Sequence, residues 1–98
     1  MLETISPGHY RLHGKLTMQD GAPLIKELLA LINVSQLDLD VSMLESADTV
    51  LLATIITVAR SIETRHGILR ITGLSPGIRG LARVYGVDSL IDQYCVLP

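Results

Sequence analysis

Few residues of this 98-residue chain have the types and spacing that chemistry requires. Its three histidines, His9, His13 and His66, have neither the mutual spacing of metal ligands nor a neighbouring cysteine. His9 and His13 fall on the polar side of an alternating segment, where an imidazole meets solvent. Asp38 and Asp40 stand on one face of a strand pattern, close enough to share a cation, but such a pair reads first as a solvated edge. Gly77 and Gly80 flank Ile78 and Arg79 inside a helical pattern, which is poor material for a phosphate cradle. Cys95 is the only thiol. No catalytic residue, cofactor or metal site is therefore expected, and the chain reads as non-enzymatic. The pair Asp48-Thr49 is different, because an acid and a hydroxyl stand together at the head of a long apolar helix, where either can cap it.

The elements that must position these residues follow from periodicity. His9 to Thr17 alternates, with Tyr10, Leu12, Gly14 and Leu16 inward, as a half-buried strand. A shorter strand precedes it at Glu3 to Ile5, turning at Pro7-Gly8. Leu24, Ile25, Leu28, Leu29, Leu31 and Ile32 recur at helical spacing and predict a first helix from Ala22 to Asn33. Leu37 to Val41 alternates again, and a turn is expected over Ser42 to Ser46. A second helix runs from Asp48 or Thr49 to Glu63 and stops at His66-Gly67. Ile68 to Thr72 makes the next strand, Ser75-Pro76 starts a third helix that ends near Gly86, and Asp88 to Tyr94 forms a short last one. A strand after a helix pairs in parallel with the strand before it, so the expected fold is a single α/β domain over residues 1–98 with a small, mainly parallel sheet.

Composition narrows the function classes. With 48% apolar residues but no Phe or Trp, the core must be built from Leu, Ile, Val and Ala. A net charge of -2 and dispersed arginines argue against a nucleic-acid surface or a polybasic membrane anchor. One cysteine allows no internal disulfide and suits a reducing cytoplasm. The first residues lack an export signal, and the longest nearly uncharged run, Ala47 to Ala59, is too short to insert in a bilayer.

The second helix carries the clearest functional hint. Leu52, Ile55, Ile56, Ala59 and Ile62 gather on one side as a core stripe, and Leu12, Leu37, Leu39, Ile71, Ile78 and Leu81 are expected to join them. The other side carries Val50, Thr54, Thr57 and Ser61, flanked by Leu51 and Val58, and stays uncharged until Arg60. An ordinary solvent face would carry Lys and Glu. This one reads either as a mild outer face or as a docking surface.

In order and spacing the chain resembles the STAS domain, over Tyr10 to Leu97. The residues that carry the resemblance are Asp48-Thr49-Val50-Leu51-Leu52 and the later run Thr72 to Arg79, with Leu81, Tyr85, Gly86, Leu90 and Ile91. In anti-sigma-factor antagonists of this family the hydroxyl after the acid receives phosphate from a partner kinase. The resemblance thus implies Thr49 as a phosphorylation site, and Asp48, Thr49, Val50, Ala53, Thr54 and Thr57 as the surface for an anti-sigma, kinase-like protein. Leu51 stands where those antagonists have Gly, Val50 where they have a small polar residue, and Thr17 where an Asp follows the first strand. The small cytoplasmic STAS subunit of the Mla-type lipid-transport ABC system also has Asp-Thr here, and resemblance to it implies docking on an ABC ATPase subunit without phosphate. STAS proteins of chemotaxis or two-component signalling are a further resemblance. A nucleotide- or ligand-binding domain is the competing class, with its pocket at the polar end of the sheet near Thr17, Asp40 and Asp48.

Overall fold

In a computed structural model, residues 1–32 and 35–95 of the chain are described. The alternating segments become a four-stranded sheet in the order β1-β2-β3-β4. Strands β1 (Leu2–Ser6) and β2 (His9–Lys15) form an antiparallel hairpin, while β3 (Gln36–Ser46) and β4 (Ile68–Thr72) add in parallel. Period-two patterning decides which face is buried. Tyr10, Leu12, Leu37, Leu39, Val41, Leu69 and Ile71 all turn into one core. The opposite face is a polar lattice in which Arg11 Nε donates to Asp40 at 3.2 Å and Gln36 Nε2 to Asp38 at 3.0 Å, with Arg70 3.9 Å from Asp38. Such solvated pairs fix side-chain order more than stability, at roughly 0–1 kcal/mol each. Burial raises the Asp40 pKa, but the bonds from Ser42 and Arg11 outweigh it and hold the carboxyl below its usual range.

Among the described residues four helices, α1 (Gly21–Leu29), α2 (Thr49–Glu63), α3 (Pro76–Val84) and α4 (Asp88–Asp92), accompany the sheet. The chain enters α1 through a 3-10 turn, Met18–Asp20, closed by Asp20, which accepts from Thr17 N at 2.9 Å and Thr17 Oγ1 at 2.8 Å. Helix α1 is therefore displaced from the expected Ala22 start and ends at Leu29; Asn33 lies outside the described residues. Ser75 accepts from Ile78 N at the head of α3, as the Ser-Pro pair predicts.

The largest departure from the sequence reading concerns residues 42–46. Ser42 and Ser46 are turn-prone types and Glu45 is a poor strand former, yet β3 runs through them because β2 continues alongside, with His13 opposite Met43, Gly14 opposite Leu44 and Lys15 opposite Ser46. Partner strand overrides local preference here. Two register irregularities, at Arg11/His13 and Gly14/Lys15, bend the pair. The other edge of the sheet is covered: Ile71 N donates to Tyr94 O, and Cys95 bridges Ile71 in parallel. The Tyr94 hydroxyl in turn donates to Glu63 at the end of α2. Burial first, and then the Glu63 carboxylate, push the phenol up to about 12.

The chain closes on a tight backbone crossing. Gly73, one residue past β4, has φ +79, and a Cβ there would lie 2.4 Å from Ser42 Cβ. Glycine is required on both counts. At the end of α2 the left-handed position is taken by His66 (φ 58), with Gly67 N bonded to Ile62 O. Gly73→Ala should therefore cost well over about 1 kcal/mol, while His66→Gly should gain about 1 kcal/mol by relieving the left-handed strain. Urea denaturation midpoints of the two variants check both signs.

Candidate functional site

The head of α2 is set by one side chain. Asp48 has an extended backbone (φ -135, ψ -151), and its carboxylate accepts from Val50 N at 2.9 Å. The acid, not the hydroxyl, is the cap. Thr49 is then the first helical residue, half-buried, with Asp48 exposed beside it.

Along the helix the buried arc is wider than the sequence suggests and turned toward α1. Leu51, Leu52, Ile55, Val58, Ala59 and Ile62 are all buried. So is Thr54, at 0% exposure, which corrects its assignment to a partner-binding face and that of Leu51 and Val58 to the flanks of that face. The cause is α1, which packs along α2 so closely that a Cβ on Gly21 would lie 2.9 Å from Val50 Cγ1. Thr54 tolerates the position because its Oγ1 donates to Val50 O at 2.8 Å, leaving no unpaired hydroxyl in the core. Conversely, Ile56 and Leu81, expected in the core, are only half-buried.

What remains open is a narrow stripe. Ala53 and Arg60 are exposed, and Thr49, Ile56 and Thr57 are half-buried, at positions that share one side of the helix; Val50 is half-buried at its edge beside α1. Thr57 Oγ1 donates to Ala53 O at 2.8 Å. Of the residues singled out from sequence, Asp48, Thr49, Ala53 and Thr57 come together, Val50 borders them and Thr54 does not take part.

Beside the helix head lies a partly open groove of about 390 Å³. The end of β3 supplies Leu44 and Glu45, the approach to α2 supplies Ala47, α2 itself supplies Leu51, and α3 supplies Gly77 and Leu81. Sequence reasoning missed it because the 42–46 segment read as a turn. The signal was present in Leu44, beside Met43 within an otherwise polar segment, and in Ala47, an apolar residue between Ser46 and Asp48. Thr17, Asp40 and Asp48, expected to line a ligand pocket, are not among the groove's residues, and each engages a local partner instead.

Other chemistry-bearing groups do not assemble. Among the described residues no three His, Cys, Asp or Glu side chains converge to hold a metal. A depression of about 140 Å³ on the polar sheet face is lined by His9, Asp38, Arg70 and Thr72. Burial, more than any neighbouring charge, pushes the Cys95 thiol up, away from the thiolate that reactivity needs. No helix among the described residues is long and apolar enough to cross a membrane.

Comparison with known proteins now decides the family. A family model described as "Mlab, STAS domain" matches residues 4–92. The chain is a STAS domain. Its fold is that of the anti-sigma factor antagonist SpoIIAA in its unphosphorylated form, with TM-score 0.75 and 17% identity over 98% of this chain and 84% of that one. The Bacillus cell fate determinant SpoIIAA in its phosphorylated form superimposes at TM-score 0.73 and 17% identity, over 98% and 87% of the two chains. A candidate anti-sigma factor antagonist from Thermotoga maritima gives 0.72 and 16%, over 89% and 79%. A search of curated proteins finds no match. In this STAS domain Leu51 is 1% exposed, so the bulky residue at the position read as Gly in the antagonists is absorbed by the core beneath the helix head.

Adjacent positions on α2 should consequently respond in opposite ways. Thr54→Arg buries an unpaired charge and should cost more than about 3 kcal/mol, enough to unfold the domain, whereas Ala53→Arg should stay within about 0.5 kcal/mol of the native chain. Thermal melts followed by circular dichroism distinguish them; equal melting temperatures would contradict the orientation of α2.

Proposed function

We propose that this STAS domain is a non-catalytic docking module that binds a bacterial cytoplasmic protein through the head and exposed stripe of α2. Asp48, Thr49, Val50, Ala53 and Thr57 form its centre. The observation that carries this reading is the stripe itself: on a helix otherwise packed into the core, the exposed side is uncharged as far as Arg60 and, Ile56 apart, made of small residues. Small side chains let a partner's backbone approach closely, and uncharged exposed surface lowers the cost of desolvation on binding.

The fold shared with anti-sigma factor antagonists supports an anti-sigma, kinase-like partner. A solved phosphorylated form of such a protein supports Thr49 as the acceptor of a phosphate. Because Asp48 supplies the cap, Thr49 can be modified without removing the bond that starts the helix. Phosphate would add about two negative charges next to Asp48 while sitting at the positive helix end, which favours partner release without unfolding. A second reading is favoured by the family model, whose description names Mlab: docking on the ATPase subunit of an Mla-type lipid-transport ABC system, with Thr49 unmodified in the contact.

The test is the affinity of variants for the partner captured from the source cell. Ala53→Arg should weaken binding at least tenfold, about 1.4 kcal/mol, with melting unchanged. Thr49→Glu should weaken it in either reading. Thr49→Ala keeps full binding if Thr49 is a phosphoswitch and weakens it if the hydroxyl is a packed contact of a transporter subunit. Mass spectrometry of the native protein for phosphate on Thr49 gives the independent readout. Unchanged affinity in all three variants would remove this face from the interface.

A further inference from the structure

We infer that the groove beside the α2 head receives a bulky apolar side chain from the partner, flanked in the partner sequence by Lys or Arg. The inference rests on the docking reading above and names the chemistry that the docking face selects. Its geometry favours a side chain over a cofactor. A groove of about 390 Å³ reaches only the lower part of the range of roughly 300–1,000 Å³ for ligand pockets, and it is partly open, whereas such pockets enclose most of a ligand's surface. An anchor residue needs less enclosure, since the rest of the partner covers it. The half-buried walls Leu44, Ala47 and Leu81, above buried Leu51, offer apolar surface that the domain itself leaves uncovered.

Charge decides the flanking residue. Glu45 lines the groove and Asp48 stands exposed next to Ala47, while no Lys, Arg or His is among the lining residues. Lys15 pairs with Ser46 in the sheet but does not line the groove, and Arg79 on α3 is held by Asp92 at 3.0 Å. A partner bringing Lys or Arg beside its apolar anchor meets complementary charge; one bringing Asp or Glu meets repulsion. The groove borders the head of α2, since its lining residues Ala47 and Leu51 flank Asp48, Thr49 and Val50 in the chain.

Gly77 makes the inference testable. It lies exposed in the first turn of α3 and lines the groove, and a Cβ there would meet nothing nearer than Ser75 Oγ at 3.9 Å. Gly77→Leu should thus fill the groove and melt no lower than the native chain, since Leu is the better helix former. Ala47→Leu fills it from the opposite wall. The native chain is panned against a random-peptide phage library, and selected peptides are measured against Gly77→Leu, Ala47→Leu, Glu45→Lys and Ala53→Arg. Enriched peptides should place Leu, Met, Phe or Trp next to Lys or Arg. They should lose at least tenfold affinity on both groove-filling variants and on Glu45→Lys. No enrichment, acidic peptides, or peptides bound equally well by both groove-filled variants overturn the inference. Peptides lost on Ala53→Arg but kept by the filled grooves leave the α2 docking face standing while the groove fails; peptides indifferent to every variant remove both.

Discussion

The wide burial of α2 is the constraint on which the rest of the molecule depends. A sheet with one buried face and no Phe or Trp to fill space must cover that face with closely set aliphatic side chains. Helix α2 does this by packing against α1 on one side and against α3 and α4 on the other. The close approach of Gly21 to Val50 on one flank and the bond from Tyr94 to Glu63 near its end fix its rotation about its own axis. Once that rotation is fixed, Thr49, Ala53, Ile56, Thr57 and Arg60 are left to face outward as one stripe, with half-buried Val50 at its edge and Ser61 and exposed Glu63 at the helix end.

That rotation separates what the residues disclosed from what they did not. β2, the first half of β3, α1 and α2 were legible as a period of two or of 3.6, β1 was placed by the Pro7-Gly8 turn, and the Ser75-Pro76 and Asp48-Thr49 starts held, because apolar spacing, turns and caps are local signals. Thr54 was misplaced for the opposite reason. A threonine on a helix looks like surface until a neighbouring helix covers it and its hydroxyl turns back to the carbonyl four residues before. Its burial is a property of α1's position, which no window around residue 54 contains. The 42–46 segment failed similarly: its strand exists because β2 lies beside it. The groove went unseen with it, since its walls come from three elements that meet only in the folded chain.

The same packing explains why the site combines rigidity with availability. Asp48 ties the helix head through Val50 N, Gly73 crosses against Ser42 with no room for a side chain, and Ser75 caps α3 across the groove. Three fixed backbone points thus surround a surface of small and apolar side chains. A partner meeting that surface pays little for ordering it. The polar lattice of Glu3, Arg11, Asp38, Asp40 and Arg70 on the other face has the reverse character, with charges already paired to one another and strongly hydrated.

Position-resolved photo-crosslinking in the source cell tests the central claim most directly, with a photoreactive side chain placed in turn at Ala53, Thr57, His13 and Thr72. All four residues are exposed or half-buried; the first two lie on the α2 stripe and the last two belong to the strands of the polar face. Adducts of one and the same partner mass at Ala53 and Thr57, with none at His13 or Thr72, are the predicted result. Adducts confined to His13 and Thr72 would contradict the account and move the docking surface to the sheet.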